Sequence, residues 1–73
     1  MMDLLILKSD VNTPKGVRKL SRVLDPHPGI TRWTVDLDDC DKVLRIELAR
    51  KLTERDVQRL ILPIGFHCED LKS

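Results

Sequence analysis

Leu4-Leu5-Ile6-Leu7-Lys8 decides how this chain is read. Its unbroken aliphatic run predicts a strand buried on both faces, hence central in its sheet. Working outward, Ser9-Asp10-Val11-Asn12-Thr13 is a loop that feeds a helix. Thr13 is suited to accept from an early backbone N–H as N-cap, and Pro14 suits the first helical position, where its missing N–H costs nothing. Val17, Leu20, Val23 and Leu24 recur at spacings of three and four, so they form one apolar stripe, with Lys15, Arg18, Lys19 and Arg22 mostly off it. Gly16 weakens that helix by roughly 1 kcal/mol relative to Ala, and close approach to a neighbouring backbone is the expected reason.

Asp25-Pro26-His27-Pro28-Gly29 ends the helix. Trp33, Val35 and Leu37 then alternate with Arg32, Thr34 and Asp36, a period of two that predicts a strand with one buried face. Asp38-Asp39-Cys40-Asp41 is a turn, and Leu44, Ile46 and Leu48 alternate with Arg45 and Glu47 to complete a hairpin. Thr53-Glu54-Arg55-Asp56 has the form of a capping box with Asp in place of Glu or Gln. Val57, Leu60, Ile61 and Ile64 make the second helical stripe. Pro63 shortens or bends its last turn, and Gly65 fits a position just past the end. Residues His67 to Lys72 are long enough for a closing edge strand. The order strand, helix, strand, strand, helix, strand predicts an α+β, ferredoxin-like fold, with two helices on one face of a four-stranded antiparallel sheet. Right-handed crossovers give the spatial order 4-1-3-2, with the first strand central.

The chain has 73 residues, 41% of them hydrophobic and 34% charged, with a formal net charge of +1. One domain over residues 1–73 is expected, and a domain of this size hides only about 60% of its unfolded surface. Trp33 and Phe66 are the only aromatics, so Leu, Ile and Val must supply most of the core. Leu4 to Leu7, the longest aliphatic run, falls far short of the roughly 20 residues that span a bilayer, so no membrane association is expected. Met1-Met2-Asp3 lacks the basic flank and apolar stretch of a secretory signal, and the expected compartment is the cytosol, with Cys40 and Cys68 as thiols. Thirteen basic residues against twelve acidic ones offer phosphates no bulk attraction, so nucleic acid is not an expected partner.

Gly29-Ile30 at the start of strand two, Val35-Asp36-Leu37 within it and Ile64-Gly65-Phe66 after the second helix carry a family resemblance. Over about Leu4 to Leu71 the chain resembles the heavy-metal-associated domain family, which includes copper chaperones and the amino-terminal modules of copper-transporting ATPases. The resemblance implies the ferredoxin-like fold. In that family a Cys-x-x-Cys pair at the first loop–helix junction grips Cu(I), and the corresponding positions here fall at Asp10 and Thr13, within a residue or so. A hard carboxylate and an alcohol do not replace two thiolates for a soft ion. The Asp25-to-Pro28 loop is also a few residues longer than the family's. The resemblance thus implies a divergent member without the family's metal chemistry.

Topology gathers the first loop, the turn between strands two and three, and the junction after the second helix at one pole. That makes Asp10, Cys40, His67 and Cys68 the candidate metal ligands, a workable set for zinc. Against this, Cys40 lies beyond an outer strand, on the order of 10 Å from the first loop by strand spacing. His67 and Cys68 are adjacent and so face opposite sides of a strand. The simpler reading has Cys68 as a core filler and His67 solvated. His27, between two prolines, belongs to the other pole as a turn residue, and Trp33 is assigned to the core with Val35 and Leu37.

Arg32, Thr34, Asp36, Arg45 and Glu47 project from the sheet face away from the helices. An RNA-recognition motif would carry base-stacking aromatics there. This face reads as a solvated surface or as a docking face for another sheet or a second copy. Asp10, Asp38, Asp39, Asp41, Glu69 and Asp70 gather near the loop pole, whereas Lys15, Arg18, Lys19, Arg22, Arg55 and Arg59 decorate the helices, a separation that orients protein partners. No phosphate-cradling glycine loop, nucleophile–base spacing or carboxylate pair is present, so no enzyme and no cofactor is expected. The leading expectation is a small cytosolic binding module acting through protein contacts, including those of a homodimer. The alternatives are a metal carrier using Cys40, His67 and Cys68, and a ligand-binding regulatory domain of the ACT type.

Overall fold

The computed structural model describes residues 3–71. Strand β1 (Asp3–Ser9), helix α1 (Pro14–Leu24), strands β2 (Ile30–Val35) and β3 (Leu44–Leu48), helix α2 (Glu54–Ile61), a 3-10 turn (Leu62–Ile64) and strand β4 (Cys68–Asp70) follow in order. The sheet runs β2-β3-β1-β4 with every neighbour antiparallel, which is 4-1-3-2 viewed from the other edge. The ferredoxin-like α+β arrangement is therefore the observed one.

Local chemistry sets the helix starts. Thr13 is extended and its hydroxyl accepts from the Gly16 N–H at 3.0 Å, while Pro14 opens α1 without needing a partner. Before α2, the Thr53 hydroxyl accepts from the Asp56 N–H at 3.2 Å, and the Asp56 carboxylate accepts from the Thr53 N–H at 2.8 Å. The shorter Asp thus closes the capping box. Past the 3-10 turn, Gly65 sits at φ 94°, and its N–H donates to the Leu62 carbonyl at 2.9 Å. Nothing lies near a Cβ at that position, so the left-handed backbone alone calls for glycine. Gly16 has a different reason, and not the expected backbone neighbour. A Cβ there would come within 3.0 Å of the Phe66 ring and 3.1 Å of a Val11 methyl.

Leu7, Leu44, Ile46 and Leu48 from the sheet pack with Leu20, Leu24, Val57 and Ile61 from the helices, all buried, and Val11, Ile30 and Cys68 complete this core. Only one face of the sheet is covered, which corrects the expectation for the opening strand. β1 is central, but Leu4 remains 54% exposed and Ile6 37%. Both helices lie against the same side, so alternation buries Leu7 and turns Leu4 and Ile6 to the open side.

Three further expectations need adjusting. β2 ends at Val35, so Leu37 packs against the core from outside the strand. Trp33 is half-buried, because β2 is an edge strand and the indole N–H turns outward to donate to Asp25 Oδ1 at 2.7 Å. β4 covers Cys68–Asp70 and not residues 67–72, of which Lys72 lies outside the described residues. Side chains of α2 hold this short edge: Gln58 Nε2 donates to the Cys68 carbonyl at 2.8 Å, and Glu54 accepts from the Asp70 N–H at 3.0 Å.

Candidate functional site: the loop pole and the open sheet face

The expected pole forms. The Ser9 N–H donates to the Asp41 carbonyl at 3.0 Å, the Ser9 hydroxyl to the Lys42 carbonyl at 2.7 Å, and the Asp10 N–H to the His67 carbonyl at 3.3 Å. The four candidate ligands nevertheless divide. Asp10 accepts from the His67 N–H at 2.9 Å and faces its Nδ1 at 3.4 Å, with both side chains exposed. Cys68 lines the same shallow depression, of about 350 Å³, but is buried within the core cluster. Burial pushes its thiol up to about 11, and the negative charges of Glu54 and Asp10 act in the same direction. Cys40 is exposed and groups with Asp39 and Asp41, their ligand atoms within 4.8 Å of one another. Among the described residues this is the only cluster of three such groups, and it leaves out Asp10, His67 and Cys68. Asp39 accepts from the Asp41 N–H at 2.8 Å, so its carboxylate shapes the turn.

The two histidines have different roles. His27 Nδ1 accepts from the Gly29 N–H at 2.9 Å, which makes it part of the turn. His67 is held by Asp10 across 57 residues of sequence, a pairing that no local motif signals. An Asp–His pair orients a base in some hydrolases, but the nearby Ser9 hydroxyl donates to Lys42 and accepts from the Val11 N–H at 3.3 Å. That hydroxyl serves the loop.

The open sheet face is built by register. The rung Leu4–Glu47–Arg32 runs across β1, β3 and β2, and the next rung is Ile6–Arg45–Thr34. Lys8 and Glu69 pair across β1 and β4, with Lys8 Nζ 3.0 Å from Glu69 Oε1. The hydrogen bond to Glu69 and its charge hold the Lys8 ammonium above its ordinary pKa. The Leu71 N–H donates to the Ile6 carbonyl at 3.3 Å, extending the β1–β4 ladder by a residue. Arg32 Nε is 3.8 Å from Glu47 Oε2, a long contact, and Arg45 is in no ion pair among the described residues. A shallow depression of about 350 Å³ lies over Leu4, Arg32, Thr34, Arg45 and Glu47. The charged positions follow directly from alternation in β2 and β3. Leu4 and Ile6 do not, because a continuous aliphatic run does not say which face lacks a cover.

The architecture and this face define an α+β domain with one solvated sheet surface. No family model matches the chain, and no curated protein or solved structure matches it. No helix among the described residues is long and apolar enough to cross a membrane.

Proposed function

We propose that this chain is a non-enzymatic docking module, built on the heavy-metal-associated plan without its thiolate pair, that presents its open sheet face to another protein surface. One observation carries the reading: Leu4 and Ile6 stand exposed on the same face of the central strand. Scattered surface aliphatics are ordinary, but these two are consecutive on one strand face and ringed by Arg32, Arg45, Glu47 and Lys8. Fully burying a Leu or Ile side chain is worth about 1.5–3 kcal/mol, and the folded chain leaves about half of that gain unused at Leu4 and about a third at Ile6. An apolar centre with a polar rim is the anatomy of a protein interface. The outward positions of the two central strands carry no aromatic, which favours a protein over RNA. The position of Asp10 in place of a thiolate, the burial of Cys68 and its separation from Cys40 favour contacts over metal transport. Two free cysteines, Cys40 exposed, suit a reducing compartment such as the cytosol.

The test is site-specific cross-linking in the native cell, with a photoreactive amino acid at position 6 or, as control, at the exposed position 18 on α1. An adduct with an identified protein from position 6 and not from position 18 is the expected result. Equal yield from both, or none from position 6, overturns the reading. Zinc and Cu(I) titrations followed by native mass spectrometry are expected to show no stoichiometric binding. A bound ion lost in Cys68→Ala would revive metal transport.

A further inference from the structure

Resting on the docking reading, we propose that the surface which covers this face is a second copy of the same chain, packed sheet to sheet about a two-fold axis that lies between the sheets and perpendicular to the strands. The axis passes between the Leu4–Glu47 and Ile6–Arg45 rungs. A two-fold contact must be self-complementary, so each group has to find its partner within the same patch. Rotation about this axis exchanges the two rungs. Leu4 then meets Ile6 of the second copy, Glu47 meets Arg45, and Arg32 meets Thr34, each contact occurring twice.

Charge makes this face complementary to a second copy of itself. Glu47 and Arg45 are two residues apart on one strand, point to one face and have opposite sign. Arg45 has no carboxylate partner in its own chain among the described residues, and Glu47 has only the long contact to Arg32. A partner patch of a single sign would satisfy one of them and leave the other facing like charge, which is costly once water is excluded. A second copy satisfies both. Facing sheets lie about 10 Å apart, within reach of Arg and Glu side chains from opposite sides. Strand spacing and length give a flat footprint on the order of 400 Å² per copy, about 800 Å² in total and below the roughly 1,200 Å² of stable interfaces, so the dimer is weak and transient.

Sedimentation equilibrium on the full chain, from about 1 μM to about 1 mM, reads this directly. The wild type is expected to dimerise reversibly. R45E and E47R, each leaving a single sign at positions 45 and 47, should raise the dissociation constant at least about tenfold. An equimolar mixture of these two variants should recover the wild-type affinity, because the axis sets the two acidic residues at positions 45 and 47 of one copy against the two basic residues at positions 47 and 45 of the other. Ile6→Lys, at a position already partly exposed, should abolish the dimer without unfolding the chain. A mixture that does not recover, or single variants that dimerise like the wild type, overturns the proposed pairing. A wild type that stays monomeric overturns the second copy alone. The docking reading then stands or falls on whether position 6 cross-links to a different protein.

Discussion

The two faces of this sheet use the same residue type to opposite ends. Ile46 on β3 is fully buried under the helices, whereas Ile6 on the neighbouring strand points to the open side and is 37% exposed. Hydrophobicity is equal at the two positions, so their difference lies in what covers them. α1 and α2 contribute Leu20, Leu24, Val57 and Ile61 to one side and nothing to the other. An aliphatic side chain reports that burial is favourable. It does not report whether the covering surface belongs to the same chain.

Replacing each isoleucine by alanine is the strongest way to break this comparison. Ile46→Ala leaves a cavity in the core and is expected to cost about 2–5 kcal/mol of stability. Ile6→Ala, measured in dilute monomer, should cost less than about 1 kcal/mol. Urea denaturation of both variants checks the contrast, and equal losses would mean that the open face contributes to the fold as much as the covered one.

The cysteines sharpen it next. Cys68 lies on the covered side with its thiol raised from 9.0 to about 11, while Cys40 is exposed in the β2–β3 turn. Near neutral pH the thiolate fraction of Cys68 is lowered about 100-fold by that shift, and burial slows access further. Iodoacetamide should therefore label Cys40 and spare Cys68 in the folded chain, as peptide mass spectrometry would show. The same shift has a stability sign. Above pH 9 the unfolded thiol ionises while the folded one stays protonated until about 11, so stability falls across that window. Cys68→Ala should flatten that fall in pH-dependent unfolding curves.

A smaller effect than that of Ile46 concerns the cap that starts α2 and so places the cover. Thr53→Ala removes the hydroxyl that accepts from Asp56 N–H and should cost about 1 kcal/mol. The Thr53 N–H holds the Asp56 carboxyl below its ordinary value of 3.8. Its contribution is present above that value and is lost as pH falls through the lower folded pKa. Asp56→Asn should remove this part of the acid dependence, measured by unfolding between neutral pH and about pH 2.

Much of the scaffold was legible because it rests on short-range physics. Thr13-Pro14 and Thr53-to-Asp56 place their helix starts within four residues, and alternation in β3 assigns Ile46 and Arg45 to opposite faces. Gly65 was legible for the same reason, as the residue just past a helix end. What failed depended on distant neighbours. The exposure of Ile6 follows from where both helices dock, the crowding at Gly16 from Phe66, and the short β4 from the α2 side chains that hold it. The candidate pole was legible as a place but not as a site. Topology brings its loops together, yet whether Cys68 turns inward or toward Asp10 depends on packing that spacing does not describe.

By itself, the sequence determined the element order, the caps and the centrality of β1. Each depends on residues close in sequence or on a pattern with a fixed period. Only the tertiary structure decided that Leu4 and Ile6 lie partly exposed on the open face, that Asp10 holds His67, and that Cys40 stands apart from Cys68. Two helices cover one face of a sheet and no more, and a side chain's surroundings are set by segments that the chain brings together only on folding.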